Sequence, residues 1–375
     1  MTVTVNLPSG SLELLIKESD YPLDDICCFA ARANNKRGFL FVSKVLGKHY
    51  PVKPNNMLNI YKNLSGKLNS LTEDLNNICF IGFAETAIGL GAGIFHEWQT
   101  LNKNKRSFFM PTSRFQLDHP VLFEFQEEHS HATDQLIYEP LEQSDKTLVT
   151  SCESLVLIDD EISTGKTLFN FIEQYRAINP QLKNVFLISI KNWISDDNRN
   201  IILSKFSDLN VHFVSVLSGE FTFNKNPDYF IEQVPKLDGK NENKNYVFNN
   251  DSFEFRYGSK KLEFNFEEET AKIDLTKKTL VLGSNEFLIK PYFFAQHLEN
   301  LGAEVYFQST TRSPILLGAD IKNKCISLDN YNDNMDNYIY NVAKDMYDQI
   351  ILCVETKEMF GLDIAEQLGA KIIYM

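Results

Sequence analysis

Two neighbouring carboxylates, Asp159 and Asp160, precede a short turn that is rich in hydroxyl groups. The glycine of this turn allows the backbone to approach a ligand closely, and amides at the start of a helix favour an anion. Carboxylates instead favour hydroxyl groups, a hard cation such as Mg²⁺, or both. The pattern predicts a ligand with a phosphate at one end and a diol or metal at the other, a description that a ribose 5-phosphate fits. The phosphate would be bound by Ser163, Thr164, Gly165, Lys166 and Thr167.

Apolar residues on both sides of this segment indicate the elements that position it. The run Leu155–Ile158 predicts a buried parallel strand that is covered on both faces. The spacing of Leu168, Phe171 and Tyr175 predicts an amphipathic helix after the turn. In open α/β sheets, ligands bind where a strand of this kind ends.

The end of the turn is also similar to a nucleotide-triphosphate P-loop, whose pattern is G-x-x-x-x-G-K-[ST]. The first glycine of that pattern would fall at position 160, which is Asp160. A carboxylate there would repel the phosphates, and we therefore reject the P-loop interpretation.

The whole stretch resembles the phosphoribosyl diphosphate (PRPP) motif of type I phosphoribosyltransferases, which has a hydrophobic strand, two acidic residues and a T-G-x-T turn. The resemblance implies that Asp159 and Asp160 are the catalytic pair and hold the ribose hydroxyls. It also implies Mg²⁺ as the cofactor, held by this pair mostly through substrate and water. The alternative is a generic strand-turn-helix with acidic capping residues.

A second small-residue loop follows the predicted strand Asn77–Ile81 and leads into a helix. In the enzymes that the chain resembles, the loop after the first core strand wraps the diphosphate. Glu85 is unusual in such a loop and would either bind Mg²⁺ through water or cap the helix. The resemblance implies a diphosphate site formed by Gly82, Phe83, Ala84, Glu85 and Thr86, with Lys36, Arg37 or Arg114 as the basic contact.

The segment 32–51 contains six basic or histidine side chains and no acidic one. It resembles the N-terminal element of orotate phosphoribosyltransferases, in which a basic segment followed by aromatic residues meets the substrate. The resemblance implies anion contacts from Lys36 and Arg37 and a stacking surface from Phe39 or Phe41. The alternative is a solvated basic loop and helix.

Two histidines, His129 and His131, lie in the interval that forms a mobile hood in type I enzymes. Closure of a hood would exclude water from a cation-like intermediate. We interpret the histidines as contacts to phosphate or to the acceptor base. Metal ligation and simple surface exposure are the alternatives.

Composition limits the classes of partner. The net charge is −13, from 37 basic and 50 acidic residues, which argues against general nucleic-acid binding. The N-terminus lacks the pattern of a signal peptide, and no apolar run approaches the ~20 residues that cross a membrane. Six scattered cysteines without metal spacing, three of them beside predicted strands, suit a reducing compartment. We expect a soluble, cytoplasmic protein.

Alternating strands and helices predict an α/β fold, namely a type I phosphoribosyltransferase-like parallel sheet with a hood and then a smaller Rossmann-like α/β domain. The predicted domains are 1–235, with hood elements from the N-terminal segment, and 266–375. A linker with a small hairpin, at Phe253–Phe266, is predicted over 236–265. Helices are also predicted at Leu23–Ala31, Pro291–Leu301 and Tyr338–Tyr347.

The second domain contains its own candidate site. Thr311, Arg312 and Ser313 follow a predicted strand at Val305–Gln308, and hydroxyl groups around an arginine favour an anion. Residues Gly283–Glu286 end the neighbouring strand and would share the same crevice. A rigid turn with a local salt bridge of Arg312 is the alternative.

Together these segments resemble the two-domain phosphoribosyltransferase-like proteins of bacterial tellurium-resistance and stress gene neighbourhoods. Their second domain is named for a Thr-Arg-Ser-Pro (TRSP) signature, present here as Thr311–Pro314. The resemblance implies transfer of ribose 5-phosphate from PRPP to a small-molecule base and a homodimer, with no nucleic-acid or membrane partner. The rival interpretation is a non-enzymatic PRPP or nucleotide sensor, and PRPP hydrolysis and the reverse reaction stay open.

Overall fold

The structure is a computed structural model that describes residues 1–32, 34, 37–125, 135–230, 254–318, 320–327, 336–355 and 363–375. These residues divide into two units. Unit 1 comprises the described residues within Met1–Met57, Gly219–Asp238 and Phe264–Met375. Unit 2 comprises those within Leu58–Ser218 and Gly239–Glu263. Each predicted domain is instead one continuous stretch of sequence, 1–235 or 266–375. These domain boundaries stay a prediction.

Strands and helices alternate along much of the chain. The strands are β1 (Thr2–Leu7), β2 (Gly10–Ser19), β3 (Cys27–Ala31), β4 (Phe39–Ser43), β5 (Ile78–Gly82), β6 (Ser107–Pro111), β7 (Val121–Phe125), β8 (Gln135–Tyr138), β9 (Ser154–Ile162), β10 (Asn184–Asn192), β11 (Asn210–Lys225), β12 (Thr279–Gly283), β13 (Val305–Ser309), β14 (Lys324–Ser327), β15 (Asn337–Tyr340), β16 (Gln349–Val354) and β17 (Lys371–Tyr374). The helices are α1 (Leu23–Ile26), α2 (Pro54–Leu71), α3 (Ile88–Leu101), α4 (Gln143–Ser151), α5 (Lys166–Ile178), α6 (Asp196–Lys205), α7 (Glu267–Thr270), α8 (Ile289–Asn300) and α9 (Asp363–Leu368).

Unit 2 is built on parallel strands in the order β11-β10-β9-β5-β6. The apolar runs of β5 and β9 are buried, as expected for central parallel strands. This confirms the predicted α/β class with a parallel sheet. The carboxyl ends of β5, β6, β9 and β10 share one edge, where the candidate residues of the PRPP motif lie.

Unit 1 contains a smaller parallel sheet in the order β13-β12-β16-β17. It confirms the predicted second α/β region. Unit 1 also contains the antiparallel pairs of β1 with β2, of β3 with β4, and of β14 with β15. The first of these pairs forms a hairpin, in which Val3, Val5 and Leu7 alternate with polar residues.

The predicted helix Leu23–Ala31 is wrong beyond Ile26. Residues Cys27–Ala31 form β3 instead, which pairs with β4 from Phe39 to Ser43. A short apolar run fits a helix or a strand equally well by its pattern, and the partner strand decides between them.

Two further elements differ from the prediction for similar reasons. The segment predicted as a helix from Tyr338 to Tyr347 contains β15, which pairs with β14, and a 3-10 turn at Lys344–Met346. The predicted hairpin is wrong over residues 254–266. Residues Glu254–Tyr257 form a 3-10 turn, and Ser259 pairs with Phe109 on β6. In both cases long-range pairing overrides the local pattern.

The cysteines behave as the sequence indicates. All six are free thiols, and Cys79, Cys152 and Cys353 are buried. Burial raises the pKa of the Cys79 thiol and that of Cys353, so both stay protonated and unreactive near neutral pH.

None of the helices that the structure describes has the length and apolar character needed to cross a membrane.

Two helical glycines in unit 2 should respond in opposite directions to replacement by alanine. A Cβ on Gly93 would lie 2.2 Å from the ring of buried Tyr61, whereas a Cβ on exposed Gly66 would meet no atom within 4 Å. We expect Gly93→Ala to lower the free energy of unfolding by about 1–3 kcal/mol through overpacking. The matched control, Gly66→Ala, should raise it by roughly 0.5–1 kcal/mol. Urea denaturation measures both, and a shift of both midpoints in the same direction would contradict this packing.

Candidate active site

The acidic pair lies near the end of β9, which continues to Ile162 instead of ending before the carboxylates. Asp159 and Asp160 are partly exposed, whereas Leu155–Ile158 is buried. The backbone amide of Asp160 donates to Oδ1 of Asp159 at 2.9 Å. A central strand therefore carries both carboxylates at the carboxyl edge of the sheet, the edge at which open α/β sheets generally bind ligands.

A buried lysine on the neighbouring strand faces this acidic segment. Lys191 on β10 is fully buried, and its Nζ lies 3.6 Å from Asp160 Oδ2 and 3.4 Å from Glu161 Oε2. A buried ammonium requires carboxylate partners to offset its loss of hydration. Lys191 was not predicted as a site residue from the sequence. The sequence feature that could have identified Lys191 is a single charged residue directly after the apolar strand segment that ends at Ile190.

The hydroxyl-rich turn leads directly into α5. Gly165 adopts a left-handed conformation with φ of 76°, and a Cβ there would lie 2.5 Å from the ring of Phe169. Gly165 is the N-cap residue of α5 and has no side chain, and the amide of Lys166 donates to Thr164 Oγ1 at 3.4 Å. Ser163 and Thr167 are partly exposed, and Thr164 and Lys166 are exposed. The helix N-terminus and the surrounding hydroxyls are suited to a phosphate.

The second candidate loop, Gly82–Thr86, begins beside β9. The amide of Phe83 donates to the carbonyl of Ile158 at 3.1 Å, so the loop and the acidic strand share one edge. The peptide bond between Ala84 and Glu85 is cis, and Glu85 is buried. The sheet thus brings together the two segments that the PRPP resemblance identified.

Side chains from the segment after β6 and from β8 hold the middle of this loop. The amide of Ala84 donates to Thr112 Oγ1 at 2.7 Å, and its carbonyl accepts from Arg114 and from Gln135, each at 3.3 Å. Of the three predicted basic contacts, Arg114 therefore lies at the loop. Gln135 was not singled out in the sequence, where an isolated glutamine carries no pattern.

Arg256 supports the turn that carries Arg114. This buried residue donates to Ser113 Oγ at 3.0 Å, and its guanidinium lies 5.2 Å from the centre of the Phe115 ring. Arg256 is far from Ser113 in the sequence, and local pattern could not have connected them.

The other predicted residues belong to unit 1 or fall outside the described residues. Arg37 belongs to unit 1, where its guanidinium lies 4.9 Å from the centre of the Phe39 ring. Phe39 and Phe41 are buried and pack against Phe221. Their roles toward a substrate stay predictions. Lys36, His129 and His131 lie outside the described residues.

The donor set of β9 fits a hard cation. Asp159 and Asp160 offer partly exposed carboxylate oxygens, the ligands that Mg²⁺ accepts when substrate and water supply the others. Within the described part of the chain, no group of three or more His, Cys, Asp or Glu side chains is arranged to hold a metal ion.

Several solved structures are similar to this chain. Adenine phosphoribosyl transferase from Trypanosoma brucei, in complex with AMP, pyrophosphate and ribose-5-phosphate, matches at 14% identity and a TM-score of 0.35, over 57% of this chain and 86% of that one. APRTase from Giardia lamblia, complexed with 9-deazaadenine, matches at 13% identity and a TM-score of 0.34, over 52% of this chain and 98% of that one. A hypoxanthine-guanine phosphoribosyltransferase from Bacillus anthracis matches at 11% identity and a TM-score of 0.25, over 43% of this chain and 79% of that one. Among curated proteins, none matches this chain.

Two family models match along the sequence. One, described as phosphoribosyl transferase (PRTase_2), covers residues 26–220. The other, described as the TRSP domain C-terminal to it, covers residues 254–363. They confirm the two-domain resemblance. Since the first model covers more than half of the 375 residues, this chain belongs to the phosphoribosyl transferase family of pentosyltransferases and carries a C-terminal TRSP domain.

Proposed function

We propose that this protein transfers ribose 5-phosphate from PRPP to a nitrogenous base or base-like acceptor, with release of pyrophosphate and with a requirement for Mg²⁺. One observation carries the proposal. The acidic end of β9, the turn before α5 and the loop after β5 lie along the same edge of the unit 2 sheet. They offer a place for the ribose hydroxyls, the 5-phosphate and the diphosphate of a single PRPP molecule.

In this reaction the bond between ribose C1 and the diphosphate oxygen breaks, and a bond from C1 to a nitrogen of the acceptor forms. The acceptor loses a proton, and the electron pair of the broken bond leaves with pyrophosphate. Positive charge develops on the ribose ring and negative charge on the leaving group. The protein therefore contributes orientation and electrostatic stabilisation rather than covalent chemistry.

Each segment has a distinct proposed role. Asp159 and Asp160 orient the ribose hydroxyls and stabilise the cationic ring. The turn Ser163–Thr167 binds the 5-phosphate through its hydroxyls and helical amides. The loop Gly82–Thr86 and Arg114 bind the diphosphate, and the contacts of Arg114 and Gln135 with Ala84 support this assignment. Bound Mg²⁺ would neutralise charge on the diphosphate, and Asp159 and Asp160 are the residues that would hold it.

The wider setting of the enzyme is also proposed. We infer a cytoplasmic homodimer with hood elements that contact the acceptor, of the kind associated with tellurium resistance and stress response. The six free thiols support a reducing compartment.

Product analysis tests the proposal and identifies the acceptor. The full-length protein would be incubated with PRPP, Mg²⁺ and a pool of free bases, and mass spectrometry would detect the nucleotide formed. We expect one base to be consumed as its nucleotide appears. Free ribose 5-phosphate without base consumption would instead indicate hydrolysis. Unchanged PRPP that still protects the protein against thermal unfolding would indicate a sensor.

A further inference from the structure

The carboxyl edge of the four-stranded sheet in unit 1 is unusually polar for a buried region. At the amino edge of this sheet, the first residues of the four strands are all described. Among these four residues, only Thr279 is both polar and buried. At the opposite edge, polar residues that are at most 6% exposed follow or end three strands. They are Ser284, Asn285 and Glu286 after β12, Ser309, Thr310 and Thr311 at the end of β13, and Glu355 after β16.

Hydrogen bonds join these three strand ends into one surface. The amide of Asn285 donates to Thr310 Oγ1 at 2.7 Å, and the amide of Thr310 donates to the carbonyl of Gly283 at 3.1 Å. On the other side, Ser284 Oγ donates to the carbonyl of Cys353 on β16 at 3.4 Å. Glu286 and Glu355 each lie within two residues of these contacts.

Lys48 fixes this arrangement from a distant part of the sequence. Its buried Nζ donates to the carbonyl of Asn285, to Ser309 Oγ and to the carbonyl of Thr310, each at 3.0 Å. The preceding residue, Gly47, accepts from the amide of Ser309 at 2.8 Å. This buried ammonium joins the segment after β12 to the segment after β13 and orients both. It also adds positive charge beside the segment after β13.

The strand order favours a ligand at this edge. The chain passes from β12 through α8 to β13 on one side of β12, and β16 lies on the other side. Ligands of open α/β sheets bind where the strand order switches direction, and in this sheet that switch falls between the carboxyl ends of β12 and β16. Glu286 and Glu355 follow these two strands.

The side chains indicate the class of ligand. The hydroxyls of Thr310 and Thr311 each accept a hydrogen bond from a backbone amide, and each hydroxyl also carries a proton that it can donate. With the partly exposed Arg312, they suit a phosphate. Carboxylates such as Glu286 and Glu355 accept from hydroxyl groups, as acidic residues do with ribose in dinucleotide sites.

We propose that the carboxyl edge of the unit 1 sheet is a second ligand site, which binds the phosphate and hydroxyls of a 5-phosphorylated ribose. The products of the proposed transferase reaction belong to this class, and in that respect the assignment rests on the proposed function.

Binding stoichiometry tests the second site, with radiolabelled ribose 5-phosphate as the probe and equilibrium dialysis of the full-length protein. We expect two molecules per chain in the wild type. Arg312→Met should weaken one of the two sites at least tenfold. Thr164→Ala/Thr167→Ala should weaken the other, because it removes hydroxyls of the unit 2 turn.

The matched control is Lys371→Met, which removes the same charge from the opposite edge of the same sheet, where Lys371 is exposed. It should leave both sites intact. Thermal unfolding checks that each variant is folded, and Thr311→Val replaces Arg312→Met if the latter is not.

The two proposals fail in different ways. A single site that is lost in the Thr164/Thr167 variant and unaffected by Arg312→Met or Thr311→Val would overturn the second site and leave the proposed function standing. A single site lost only with Arg312→Met would overturn the proposed binding at the unit 2 turn. No binding at millimolar probe would overturn both assignments.

Discussion

Replacing Asp160 by asparagine is expected to lower kcat/KM for PRPP by about 10²–10³-fold, the usual loss when one preorganised electrostatic contact to a transition state is removed. The side chain keeps its size and stays partly exposed near the carboxyl end of β9. It loses the negative charge that would stabilise the cationic ribose. Steady-state kinetics at saturating acceptor measures the effect.

The neighbouring carboxylate supplies the matched control. Glu161 contacts the same lysine as Asp160, at 3.4 Å against 3.6 Å. Glu161→Gln removes one negative charge beside Lys191, as Asp160→Asn does, but it removes no proposed contact with the ribose. The activity of this variant should therefore fall far less. Equal losses in the two variants would mean that the charge balance of Lys191, and not the ribose contact, sets the rate. Unchanged kinetics in Asp160→Asn would contradict the catalytic assignment.

Replacing Lys191 by methionine should lower both activity and stability. The substitution leaves the carboxylates of Asp160 and Glu161 without their shared cation. Their side chains are 22% and 11% exposed, so water offsets part of the loss. We therefore expect a destabilisation of roughly 1–3 kcal/mol, below the cost of breaking a fully buried pair. Misplacement of Asp160 should lower kcat/KM by about tenfold or more, equivalent to about 1.4 kcal/mol in the barrier.

A double-mutant cycle measures the interaction between Lys191 and Glu161. Lys191→Met combined with Glu161→Gln should be less destabilised than the sum of the single variants, because the second change removes one of the uncompensated charges. Urea denaturation of the four proteins gives the coupling free energy. Additive effects would show that Lys191 contributes by packing alone.

The sequence predicted the strands that carry chemistry better than the elements around them. The apolar runs of β5, β9 and β12 are each followed by glycine or aspartate, residues that commonly bound strands, and a buried parallel strand satisfies these runs directly. The segment after Ile26 and the segment at Tyr338 are short and apolar, and they form strands because β4 and β14 pair with them. Pairing partners distant in sequence cannot be identified from a local pattern.

The same distinction holds for the candidate site. Asp159, Asp160 and Gly165 stand in one continuous motif, so their types and spacing could be interpreted together. Lys191 and Arg256 reach their partners only through the fold, by sheet register and by a long-range hydrogen bond. The buried contacts of Lys48 with Asn285 and Ser309 likewise join segments more than two hundred residues apart.

The most direct test of the central assignment follows pyrophosphate release by ³¹P NMR, with PRPP, Mg²⁺ and the acceptor identified by product analysis. We expect pyrophosphate to appear only when the acceptor is present, and to be nearly abolished in Asp160→Asn while Glu161→Gln retains most of the rate. Pyrophosphate release at the same rate in Asp160→Asn and wild type would contradict catalysis at the acidic end of β9. No release from the wild type with any acceptor, despite tight binding of PRPP, would contradict the transferase function itself.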